Sequence, residues 1–218
     1  MTEKRSVSGI IIGYDPGGAE ANGVATLLVN AGKATSVSTC TLSTTEQVIT
    51  LLEQTSGVVA IGIDSLTCWS TGPGGWRPAD RWLRNRYRPV ANSVAAPNGL
   101  RGSMAVNGMT LLTAIRAGRQ TLFITETHPK VLLWSLAGAK YDYIGRRLFM
   151  DDFLARVLGI NVAPANEHEW DAILSAFAAL EGLSGQWSND LHLLATRPDE
   201  RLLTPCGITH YSWPEEDK

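Results

Sequence analysis

Three apolar runs in this chain each close on a carboxylate: Asp15 after GIIIGY, Asp64 after VVAIGI and Glu126 after TLFIT. A fourth acid, Asp171, lies in NEHEWDAILSAFAAL, with His168 and Glu167 just before it. Carboxylate oxygens are hard ligands that suit Mg2+ or Mn2+ and not zinc. Two such ions ~4 Å apart bind a scissile phosphate, generate hydroxide and stabilise the leaving oxygen of an in-line displacement. Each acid also has a plainer reading. A strand-end Asp or Glu commonly caps the next turn or helix, and Asp171 suits the positive end of its own helix dipole. Three strand-end acids on one edge are harder to explain in that way. His168 and Glu167 are candidates for further ligands, with His168 a proton shuttle, or for solvated residues at a helix start.

For the acids to meet, the elements that carry them must run side by side. Ile10–Ile12 leading to Asp15 reads as a buried β-branched strand, Gly23–Val29 as a second, and Ala34–Leu42 as a third after the turn Asn30–Lys33. PGG, at Pro16–Gly18, is the tight turn between the first two. Ser43 with Glu46 forms a capping-box pattern ahead of a helical stripe of Val48, Ile49, Leu51 and Leu52, which Gly57 ends. Val58–Asp64 is apolar on both faces, as at the centre of a parallel sheet, and Thr121–Thr127 is a fifth strand. Helices are expected at Met104–Gly118, Pro129–Leu136, Gly145–Leu158 and Glu167–Leu180, with a tail from Gln186 packed on the surface.

This order implies an α/β fold: a mixed five-stranded sheet in the order 3-2-1-4-5, helices on both faces, and strands one, four and five parallel. Parallel neighbours ~4.8 Å apart then carry Asp15, Asp64 and Glu126 to one carboxyl edge, where ligand sites of open sheets lie. Asp171 flanks the stripe Trp170, Ile173, Leu174, Phe177 and Leu180, and small Ser175 and Ala178 on its own ridge would let that helix approach the sheet. Asp15 is the expected bridging ligand because its strand is central.

Residues 65–103 break the pattern with glycines, prolines and arginines around one short helix, Pro78–Tyr87. So long a connection in a compact domain is usually functional or mobile. Arg77, Arg81, Arg84 and Arg88 fall on one face of a continued helix, with Arg86, Arg101, Trp76, Trp82 and Tyr87 around them. Two readings stand level: Arg77, Arg81 and Arg84 as a patch that tracks phosphate, or arginines paired with Asp80, Asp151 and Asp152 inside the fold.

The 218 residues suit a single domain, 1–218, carrying residues 65–103 as an insertion. Hydrophobic content of 44% with 18% charged residues describes a globular protein, and a net charge of −2 provides no global pull toward polyanions. No apolar run approaches the ~20 residues of a membrane span. MTEKRSVSG lacks the apolar core of a signal peptide, and three widely spaced cysteines favour free thiols in a reducing compartment. The cytoplasm is the expected location.

The segments GYDPGG, IGIDSLTCW, RPADRWLR, ETHP and HEWDAILSAFAAL occur in an order that resembles an uncharacterised family, a domain of unknown function, of predicted RNase H-like nucleases. The resemblance runs from Ile10 to Leu180. It implies an RNase H-like fold, similar to RNase H and Holliday-junction resolvases, and a metal-dependent nuclease working on nucleic acid with Mg2+ or Mn2+. By position it assigns the metal-binding roles to Asp15, Asp64 and Asp171, with Glu126 matching the family's E-x-x-P acid. DNA and RNA stay equally open as partners, no membrane is implied, and a homodimer is admitted. Two other classes compete: an actin-like or sugar-kinase-like phosphotransferase, which needs a second Asp-x-Gly loop not seen here, and a non-catalytic binding module on the same fold. A dinucleotide site is disfavoured, since G-x-G-x-x-G spacing is absent.

Overall fold

Strand periodicity decides which face of the sheet each residue meets, and the glycines decide how closely a helix can lie on it. The computed structural model describes residues 6–99 and 102–215. Strands β1 (Gly9–Asp15), β2 (Asn22–Asn30), β3 (Lys33–Leu42), β4 (Val58–Ile63) and β5 (Phe123–Glu126) form one mixed sheet in the order β3-β2-β1-β4-β5. β1, β2 and β3 make an antiparallel meander, while β4 lies parallel to β1 and β5 parallel to β4. This is the expected 3-2-1-4-5 order of a mixed α/β sheet.

Helix α1 (Thr45–Gln54) joins β3 to β4, and α2 (Pro78–Arg86) and α3 (Gly102–Gly118) lie between β4 and β5. Helices α4 (Pro129–Ala137), α5 (Arg147–Leu158) and α6 (Glu167–Ser184) follow. Alternation along β1 sorts the two cores. Ile12 and Tyr14 pack with Ile61, Ile63, Val48 and Leu52 of α1 and Leu111, Leu112 and Ile115 of α3. Ile11 packs on the other face with Ala25, Leu27, Ala60 and Ala172, Ile173 and Ala176 of α6. Helices therefore cover both faces.

The sequence pattern presents α6 as amphipathic, yet every residue from Glu169 to Leu180 is buried. The sheet lies on one side, and α5 with the segment before it lies on the other: Trp170 donates from Nε1 to the Met150 carbonyl at 3.0 Å and meets the Tyr141 ring edge-on at 5.4 Å. A β-carbon on Gly13 would stand 1.8 Å from the Ala172 carbonyl oxygen, and one on Gly62 would stand 1.8 Å from that of Ser175. These strand glycines, more than the small residues of α6, set the close approach.

Other differences from expectation are local. The capping box is shifted by one residue, with Thr44 and Gln47 exchanging the two bonds. Residues Trp69–Ser70 of the insertion pair with Leu202–Leu203, and Asn189–Asp190 pair with Ser212–Trp213. The tail does not merely pack on the surface. His210 exchanges backbone bonds with Ile124 and Glu126, covering the free edge of β5, and Tyr211 and Trp213 are buried. Arg101 lies outside the described residues. No helix among them is long and apolar enough to cross a membrane.

Candidate metal centre

Helix α6 is fastened at its start and then seated on the sheet. The Asn166 side chain accepts from Glu169 N at 3.0 Å, the bond of an N-cap. Glu169 in turn accepts from Thr39 at 2.7 Å and Thr41 at 3.0 Å, which ties the first turn to β3. One turn on, the contacts at Gly13 and Gly62 hold the backbone against β1 and β4. Asp171 is thereby carried to the ends of those strands. Carboxylate oxygens of Asp15, Asp64 and Asp171 all lie within 4.8 Å of one another.

Asp15 and Asp171 are buried, and Asp64 opens partly onto a cleft. Burial pushes all three carboxyls above their ordinary range. At Asp64 the charge of Asp15 adds to that rise, and at Asp171 both neighbouring aspartates do. Asp15 is partly relieved by His168, whose Nδ1 lies 2.7 Å from Asp15 Oδ2. That bond holds the half-exposed imidazole above its ordinary pKa. No hydrogen bond of ordinary geometry reaches the buried Asp171 Oδ1 or the hydroxyl of Tyr141, although the tyrosine lies near enough to lower that carboxyl. A carboxylate oxygen without such a bond, beside two other acids, fits a ligand set short of its cation, and an all-oxygen donor set fits Mg2+ or Mn2+.

Glu126 does not join this group. Arg77 is buried and grips it in two places, Nη1 to Oε2 at 2.7 Å and Nη2 to Oε1 at 2.5 Å, while Thr67 donates from its backbone at 2.9 Å. Burial alone would raise the Glu126 carboxyl, but Arg77 and His192 outweigh it and hold it well below the carboxylate range. A fourth metal ligand needs free lone pairs facing the aspartates, whereas those of Glu126 are committed to the guanidinium. Cys68, Glu126 and His192 also place ligand atoms within 4.8 Å of one another. Arg77 Nη1 already lies among them, 3.6 Å from Cys68 Sγ, and supplies the positive charge an ion would bring.

The three candidate phosphate-binding arginines are likewise engaged within the fold, Arg77 buried and Arg81 and Arg84 half-buried beside an open pocket that Arg197 shares. Arg77 pairs with Asp80 as well as Glu126. Arg81 meets Glu200 at 2.6 Å, and Arg84 donates to the carbonyls of Ala91 and Val94 at 2.7 and 2.8 Å. Internal pairing through Asp80 is the reading the geometry takes, and Asp151 meets Arg147 instead. The insertion has carbonyls and carboxylates to satisfy, and arginine's five donors satisfy them.

Sequence reasoning missed several residues at the site. Lys130, one residue past ETHP, places positive charge beside the cluster that offsets part of the rise at all three aspartates. Tyr141 faces Asp171 from the segment between α4 and α5, its pKa raised by burial and then by that aspartate. Gly13 and Gly62 had a readable signal: each interrupts an apolar strand two residues before its aspartate, and a strand-interior glycine marks close approach by another backbone. Lys130 and Tyr141 had none, because their neighbours come from distant segments.

No protein-family model and no curated relative matches the chain. Among solved structures it is similar to Thermus thermophilus RuvC, at 14% identity over 81% of this chain and 96% of that one, with a TM-score of 0.45. It is similar also to T. thermophilus RuvC in complex with Holliday junction substrate, at 17% identity over the same shares and with the same TM-score of 0.45.

Proposed function

We propose that this protein is a divalent-metal-dependent phosphodiesterase that hydrolyses nucleic acid, with Asp15, Asp64 and Asp171 as its metal ligands. The observation that carries the reading is the meeting of three carboxylates within 4.8 Å, one with a buried oxygen that no hydrogen bond of ordinary geometry reaches. Bound Mg2+ or Mn2+ would supply Lewis-acid stabilisation of the phosphate and an activated water. The chain's own residues do the rest. Asp15 lies on the central strand, and its bond to His168 Nδ1 fixes the orientation of its carboxylate. His168 is half-exposed and sits within reach of the reacting groups, which suits it to take up and release a proton. Glu126 and Arg77 serve the site indirectly, by fixing the insertion to the end of β5.

Titration calorimetry with Mn2+ on the wild type and on Asp15→Asn tests this. Saturable binding by the wild type, weakened in the variant, is expected, together with Mn2+-dependent cleavage that Asp15→Asn and Asp64→Asn abolish. Absence of Mn2+ binding by the wild type would sink the proposal.

A further inference from the structure

A cleft of about 560 Å³ opens beside the aspartates, lined by Asp64, by Lys130 of α4, and by Asn92, Ser93 and Ala95 of the insertion with Met104 at the start of α3. Its size lies within the roughly 300–1,000 Å³ of sites that take one small molecule. The insertion wall is built rigidly. Arg84 ties down the carbonyls of Ala91 and Val94 on either side of Asn92 and Ser93. His128, at the start of α4, donates from Nε2 to the Ser93 carbonyl at 3.0 Å. Arg84, one of the arginines that looked like a phosphate patch, therefore holds the wall of this cleft, and none of Arg77, Arg81 and Arg84 is among its lining.

The lining chemistry is asymmetric. Lys130 is exposed, its Nζ held 5.2 Å from the centre of the Tyr141 ring. Burial keeps the neighbouring His128 at a pKa of about 4, so it is neutral at physiological pH. Lys130 is thus the cationic side chain among the described residues of the lining, and it shares the cleft with Asp64 and with Asp80 and Glu126, both of which Arg77 holds. Away from that charged end, Asn92 exposes an amide with donors and an acceptor, and Met104 offers a polarisable thioether suited to an aromatic ring.

We propose that this cleft seats one unpaired nucleotide of the substrate, with its phosphate between Lys130 and the three aspartates and its base against Asn92 and Met104. The inference rests on the phosphodiesterase reading for the position of the phosphate. A cleft of this size admits a single base and not a paired duplex, whose major groove alone is about 12 Å wide. The preferred substrate class is therefore single-stranded or locally unpaired nucleic acid, its base recognised by stacking and edge contacts.

Fluorescence anisotropy tests it, with a labelled oligothymidylate of about 15 nucleotides, alone and annealed to its complement, in Ca2+ buffer. The wild type should bind the single strand at least about tenfold more tightly than the duplex, the weight of roughly one stacked base. Ala95→Trp fills the cleft from an exposed position and should remove that preference. Lys130→Met should weaken single-strand binding about tenfold, as loss of a phosphate contact, yet leave Mn2+ binding intact or tighter, since a positive charge beside the ligands is gone. Equal affinity for the two probes, no binding of either, or an unchanged preference in Ala95→Trp would overturn the proposal. Mn2+ calorimetry on the same samples reports separately on the aspartates, so failure of the metal site and failure of the cleft assignment are told apart.

Discussion

The carbonyl oxygen of Ala172 lies where a side chain on Gly13 would begin, 1.8 Å from the position of its β-carbon. The α6 backbone thus rests directly on β1, and Asp171, the residue before Ala172, reaches Asp15 because of that contact. Gly13→Ala should lift α6 off the sheet. We expect a loss of about 1–3 kcal/mol for overpacking, measured by urea unfolding, and Mn2+ affinity reduced by more than the stability change accounts for. Retained affinity would separate the glycine from the placement of Asp171.

Three carboxylates within 4.8 Å, two of them buried, oppose folding when no cation is present. Asp171→Asn should therefore raise the melting temperature in EDTA, by about 2–4 °C for each kcal/mol of relieved repulsion in a chain of this size. Mn2+ should stabilise the wild type and have little effect on this variant. Thermal scans with and without Mn2+ check both signs, and a variant less stable than wild type in EDTA would count against mutual repulsion.

Arg77 spans Asp80 and Glu126 in a buried network. Removing one member of a buried pair leaves an uncompensated charge, so Arg77→Met should cost about 3–5 kcal/mol. Arg77→Met combined with Glu126→Gln should recover part of that loss, because the stranded carboxylate is then neutral. Chemical denaturation of the single and double variants gives the coupling.

His192 provides the clearest dependence on pH. Burial pushes its imidazole down, but its contacts with Cys68 and Glu126 more than offset this and hold its pKa at about 10. The folded value exceeds the ordinary one of about 6.5, so its stabilisation is complete below pH ~6.5 and is lost as pH rises through about 10. Melting temperature should fall between these limits, and the fall should be shallower in His192→Gln.

The strand order was legible because its signals are local. β-branched runs, a turn at PGG and an apolar VVAIGI each act within a few residues, and crossover handedness then leaves few arrangements. The placement of Asp15 and Asp64 on the carboxyl edge follows from the same local signals. The α6 side of the sheet was less legible, because the glycines in GIIIGYD and VVAIGID acquire meaning only when a second backbone lies on them.

By itself, the sequence determined the α/β class, the order of the sheet and which acids end its strands, since hydrophobic periodicity and chain connectivity are properties of the chain alone. Tertiary structure alone decided which acids remain available for a cation. Glu126 and Asp64 look alike at the ends of their strands, but Arg77, 49 residues before Glu126, neutralises only the first. Asp171 meets Asp15 from across the sheet and keeps an oxygen that no hydrogen bond of ordinary geometry reaches. Charge pairing at such separations depends on how the insertion and α6 fold back over the sheet edge, and no pattern of neighbouring residues carries that information.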